Sequence, residues 1–250
     1  LVLAAGAAAG WRARESARAG ALAAAAKTPE LREFATARGQ RATIRLVDGT
    51  RVELGYASRL RVAAFAPAAG RREMYLEGEA VFDVVHDPAR PFVVHAGNAV
   101  TEDLGTVFGV RAYPGDAAVR VLVVSGEVAL RPRLPAPGAD STSAVLGGGQ
   151  LGRLDARGRV EVESGVDTTE YLGWLSGHVS FHDAPLSEVA AELARRFDVT
   201  VTIADPRVAA RRVTVEMPGG SLTQILDAVT TPIALHHRRD AASGTVVIEP

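Results

Sequence analysis

The sequence predicts a mainly β protein that finishes in a small α+β unit, and three observations predict it. From Met74 to Val84 the side chains alternate, which is the period of two that a half-buried strand requires. Short runs with the same character recur on both sides of that stretch, separated by Gly, Pro and Asp. After Trp174 the apolar spacing changes twice to that of an amphipathic helix, each time between short strands.

Along the chain, Leu1 to Gly10 is apolar and uncharged. Such a stretch would rise about 15 Å as a helix, half of a bilayer core. Two readings compete: the end of a transmembrane helix with Trp11 at the interface, or a flexible leader of small residues. Arg12, Arg14 and Arg18 follow directly, so charge asymmetry alone does not give an exported orientation. Residues 11–36 are rich in Ala and charge with no sustained apolar stripe, and read as a linker or stalk.

Residues 37–170 read as the β-domain. Thr43–Val47 and Arg51–Leu54 flank Asp48-Gly49, a hairpin signal because Gly takes positive φ at little cost. Arg59–Phe65 follows, then Met74–Val84. Asp87-Pro88 breaks that strand, Pro91 restarts the chain as Phe92–His95, and further strands begin at Gly105 and Ala118, the last running to Leu130 around Ser125-Gly126. The segments LVDGTRVEL, YLEGEAVFDV and VVSGEVALR each read as strand, Gly, strand. Successive turns of a rolled or solenoid-like antiparallel sheet would look like this, and a sandwich is the competing arrangement. Residues 131–168 are richer in Pro, Gly and Ser and read as loops with a strand or two.

Residues 171–250 read as the α+β unit. His178–His182 is a strand, and Asp183-Ala184-Pro185 a helix start with Asp as cap. Leu186, Val189, Leu193 and Phe197 make one apolar stripe, and Val199–Ile203 is a second strand. The unit then repeats as strand Val213–Met217, turn Pro218-Gly219-Gly220, and a capping box from Ser221 to Gln224 opening a helix. Strands Ile233–His237 and Thr245–Ile248 follow, and the two helices are expected to cover one face of a small sheet.

Composition excludes several chemistries. With a net charge of −1 in 250 residues, no broad attraction to nucleic acid or anionic lipid is indicated. The chain has no Cys, which rules out disulfides and thiolate metal sites. Gly147-Gly148-Gly149-Gln150-Leu151-Gly152 satisfies G-x-G-x-x-G, but no helix pattern follows to meet a pyrophosphate. His178 and His182 would lie roughly 13 Å apart along a strand, and His236 and His237 would point to opposite faces. Glu77, Glu79 and Asp83 share one strand face and read as solvated; paired carboxylates can do acid–base work, but no nucleophile accompanies them. Enzymatic activity and a bound cofactor are therefore not expected.

The ordered blocks carry a family resemblance. Arg41 to Thr50, Leu54 with Ala57 to Leu60, Leu76 to Val84, Pro91 to Val94, Leu104 to Val110 and Val124 to Val128 resemble the FecR family, as do Trp174, Gly177, Phe181, Pro185, Leu186 and Val189. The match runs in order over residues 36–197. The resemblance implies a single-pass regulator of an extracytoplasmic-function sigma factor in the bacterial inner membrane, with this segment in the periplasm. It implies two partners: the signalling domain of a TonB-dependent outer-membrane receptor, commonly one for a ferric siderophore, and the sigma factor, held by a cytoplasmic region that this sequence does not contain. It also implies that residues 171–250 resemble the secretin/TonB short N-terminal fold. An edge strand is the expected partner surface, because an open edge can pair with a partner strand. Val199, Val201 and Ile203 in one strand and Val247 in another are its candidate residues. The competing reading is a carbohydrate- or polymer-binding β-module of the cell envelope. Such a module would show an aromatic platform, and the chain's two Trp and four Tyr are scattered.

Overall fold

A computed structural model describes residues 31–63, 70–103, 105–134, 143–240 and 243–250. The readings of residues 1–10 as a membrane-helix end and of 11–30 as a linker lie outside the described residues. Residues 31–35, read as the end of that linker, are instead a strand. β1 (Leu31–Ala35) pairs antiparallel with β4 (Arg59–Ala63) from Leu31↔Ala63 to Ala35↔Arg59.

The spine is β5 (Arg72–Asp83). Its first half lies between β4 and β6 (Phe92–Ala96); its second half lies between β3 (Arg51–Leu54) and β8 (Val107–Ala112). The change of neighbours falls at Gly78, whose φ is +108°. An added Cβ there would overlap Ser58 Oγ, so this corner requires glycine both for its backbone and for its space.

From β5 one face of the sheet runs through β6, β7 (Ala99–Asp103) and β10 (Glu127–Pro132) to β11 (Ala144–Gly147). The other runs through β8, β9 (Ala118–Ser125) and β12 (Gln150–Asp155) to β13 (Val160–Ser164), with β2 (Ala42–Arg45) beside β3. Pairing is antiparallel except between β5 and β6, which are parallel in the register Arg72↔Phe92. The faces fold onto one apolar core that includes Met74, Leu76, Phe82, Phe92 and Phe108. Gly152 of β12 sits so close that a Cβ would be 2.7 Å from both Leu130 and Leu146 of the opposite face.

The three strand–Gly–strand segments have two outcomes. Gly49 lies in a true hairpin: β2 and β3 pair as Arg45↔Arg51, and Leu46 N–H donates to Thr50 O at 2.8 Å. Gly78 and Gly126 are corners, where the chain passes from one face of the rolled sheet to the other. β9 and β10 flank Gly126 yet pair with different neighbours. Gly147–Gly152 spans the end of β11, a turn and the start of β12, so the glycine-rich run precedes a strand rather than a helix.

After α1 (Thr168–Leu172) and a 3-10 turn at Gly173–Leu175, the chain enters the second lobe. The expected single small sheet is in fact two. β14 (Val179–Pro185) pairs with β16 (Arg212–Met217), and β15 (Val201–Ile203), β18 (Val246–Glu249) and β17 (His236–Arg239) form the other in that order. α2 (Leu186–Phe197) and α3 (Leu222–Thr230) each touch strands of both sheets. Leu186, Val189 and Leu193 of α2 are fully buried with Ile225 and Val229 of α3; burial contributes about 1.5–3 kcal/mol for each such side chain. The capping box forms as the sequence predicts, with Ser221 Oγ accepting from Gln224 N–H. The cap expected of Asp183 does not. Asp183 has φ +45° in a bulge of β14, and Pro185 occupies the N-cap position with no side-chain bond.

Candidate interaction surfaces

The apolar clusters of the two lobes share no residue, and a network of ion pairs and hydrogen bonds joins the lobes. The register of the first lobe places five charged residues in one outward row: Glu79 of β5 opposite Arg111 of β8, Arg111 opposite Arg120 of β9, Arg120 opposite Arg153 of β12, and Arg153 opposite Glu161 of β13. α2 lies over part of this row. Glu188 and Glu192, four apart and so on one helical face, meet Arg120 and Arg111 respectively. Helical spacing on one side is thus matched to strand spacing on the other.

Arg111 is the centre. Its Nη1 donates to Glu192 Oε2 at 2.9 Å and to Glu79 Oε2 at 3.4 Å, and its Nε donates to Asp116 Oδ2 at 3.1 Å. Arg195 adds a bond to Glu192 at 3.0 Å and lies over the Tyr113 ring, 3.9 Å from its centroid. Tyr113 Oη donates to Tyr56 O at 2.7 Å. Main-chain groups complete the seam: Gly39 N–H donates to Arg195 O at 2.8 Å, and Arg41 Nη1 to Trp174 O at 2.5 Å. The row also floors a cleft of about 590 Å³ between the lobes, walled on the other side by β14.

Glu79 corrects the sequence reading. Alternation correctly put it on the outward face with Glu77 and Asp83, which are exposed, but α2 covers that face at Glu79 and leaves it 8% exposed. Burial pushes its carboxyl up to about 7 against the pull of Arg111, and Glu192 adds to the rise. Glu192 is equally buried, but Arg111 and Arg195 outweigh its desolvation and hold it well below the usual carboxylate range. Burial also pushes the Tyr113 hydroxyl up. The signal for this cluster was present as Glu188-x-x-x-Glu192 on the polar stripe of a helix, a pattern that on a single chain reads as solvated.

The edge-strand residues separate. Val246 N–H donates to Thr200 O and Ala204 N–H to Ile248 O, so even-numbered residues of this segment face β18 and the amides of Val201 and Ile203 face away. Among the described residues no strand pairs with that outer edge. Val199 precedes the strand, and its N–H and C=O are already engaged with Ala194 and Arg38. Val247 is a correction: β18 is the middle strand, paired in parallel with β15 and antiparallel with β17, so it offers no edge. His178 is bonded to Ser176, His182 is exposed, and His237 lies 3.8 Å from Asp227. No helix among the described residues is long and apolar enough to cross a membrane.

Two family models match the chain, one for FecR protein over residues 32–129 and one for the FecR C-terminal region over residues 178–243. Two crystal structures of a candidate anti-sigma factor from Parabacteroides distasonis ATCC 8503 are similar to it. The 2.50 Å structure has a TM-score of 0.79 and 25% identity, covering 88% of this chain and 98% of that one. The 1.65 Å structure has a TM-score of 0.78 and 25% identity, covering 87% and 98%. No curated protein matches.

Proposed function

Because the chain belongs to the FecR family of sigma-factor regulators, we propose that it is the periplasmic, signal-sensing part of one that is anchored in the inner membrane by a single helix. In this reading it relays the state of a TonB-dependent outer-membrane receptor by protein–protein contact, and a cytoplasmic region controls the extracytoplasmic-function sigma factor.

The observation that carries the reading is the outer edge of β15. Two outward amides, Val201 and Ile203, lie on a strand whose side chains are anchored in the core of the second lobe. A partner strand of the receptor's signalling domain adds there, with main-chain bonds supplying affinity. In this reading function lies in a surface and not in a reaction centre.

Proline tests the edge cleanly. At Val201 or Ile203 it removes an outward N–H and no bond to β18. V201P and I203P should keep the melting transition of the parent and bind a purified receptor signalling domain at least tenfold more weakly. Parental affinity in both folded variants would rule out the edge. Failure of the parent chain to bind any such domain from its own genome would rule out the relay itself.

A further inference from the structure

The seam between the lobes holds an unequal set of buried charges. Around Arg111 lie Glu79 from β5, Asp116 from the turn after β8, and Glu192 from α2. The cations facing them are Arg111, Arg195 from α2, and Arg120 from β9, the last occupied by Glu188. Tyr113 and Ser58 face the same site with neutral hydroxyls, and Ser58 Oγ accepts from Glu79 N–H at 2.9 Å. Three carboxylates therefore share two guanidinium groups. Glu79 is the one served worst, having only the longer share of an Arg111 nitrogen that Glu192 also uses.

Like charges in one buried site cannot all ionise without penalty. Separating the lobes would remove Glu192 from Glu79 and admit water to both. The covalent route between lobes is single, through residues 165–178, and includes Gly165 at φ +73° and Gly177 at φ +90°. Lobes that keep separate apolar cores move relative to one another unless a large apolar interface locks them.

We propose that this seam is a proton-operated latch: a proton on Glu79 clamps the second lobe onto the first through Arg111 and Glu192, and its loss loosens the clamp. The latch requires no partner and stands independently of which receptor or sigma factor the chain serves. Its direction follows from geometry. The closed seam prefers neutral Glu79, and the open seam hydrates it and restores ordinary acidity. Mild acid closes the lobes and mild base releases them, with the cleft over the charged row widening on release. Glu192 stays ionised in both forms across this range and contributes no slope.

Gly39 reports the latch directly, because its N–H crosses the seam to Arg195 O. We expect its amide-exchange protection, corrected for intrinsic rate, to fall about tenfold between pH 6 and pH 8, because one linked proton gives tenfold per pH unit only until the closed-seam carboxyl ionises at about 7. The core amide of Val110 serves as the reference for global opening. Glu79→Gln mimics the protonated carboxyl and should hold Gly39 protection high and flat across the range. A flat wild-type profile at Gly39 would overturn the latch, whether or not E79Q folds. So would an E79Q profile that keeps the wild-type slope.

Discussion

Arg111 of β8 and Glu192 of α2, 81 residues apart in sequence, meet at 2.9 Å across the seam between the two lobes. Both are largely buried, with side chains 14% exposed. Removing one partner of such a pair costs far more than the pair contributes, because the survivor is left charged without a counterion. Arg111→Met should lower stability by about 3–5 kcal/mol, read from the denaturant midpoint. Adding Glu192→Gln in that background should recover part of the loss. A shift below about 1 kcal/mol for Arg111→Met would show that the seam is hydrated in solution.

Glu192 carries its own pH dependence. Its carboxyl is depressed to about 2 in the folded chain from an ordinary 4.5. A depressed carboxylate contributes stability that is present above the unfolded value and is lost as pH falls toward the folded one. The stability difference between the parent and Glu192→Gln should therefore shrink between pH 4.5 and pH 2, read by urea melts at each pH. A gap that widens on acidification would reverse the assigned sign.

Glycine corners and glycine turns should respond differently to a methyl group. Gly78→Ala meets Ser58 and Gly126→Ala places a Cβ 2.9 Å from Thr106 Oγ1, both at positive φ. Gly115, at φ +93°, has nothing within 4 Å. Backbone strain alone costs about 1–2 kcal/mol, and overlap adds to it only at the corners. Thermal melts should rank the losses Gly78→Ala, then Gly126→Ala, then Gly115→Ala; equal losses would show that strain, not space, fixes the corners.

This contrast shows what the sequence carried. Alternation located β5 and its inward face, from Met74 to Phe82, because period two survives in any half-buried strand. It also located the capping box at Ser221. It could not distinguish Gly49 from Gly78 or Gly126, since hairpin and corner share the local grammar and differ only in which strands pair. Glu79 was misread for a related reason: outward and solvated are the same thing until a second lobe covers the face. The middle position of β18 is likewise a fact of long-range pairing, invisible in Val246–Glu249 itself.

A proline at Val247 therefore has a different fate from one at Val201. β18 is bonded on both sides, and a central strand does not tolerate the loss of a ladder N–H. Val247→Pro should cost about 3 kcal/mol or more and remove the second lobe's near-UV signature. Retention of a parental melt in Val247→Pro would contradict the strand order.

The sharpest measurement is residue-resolved hydrogen exchange of the chain with and without the signalling domain of a TonB-dependent receptor from its own genome. If that domain adds a strand at β15, the free outward amides of Val201 and Ile203 exchange rapidly alone and become protected in the complex, while those of β17 do not change. Saturating binding that leaves both amides as fast as in the free chain would contradict it.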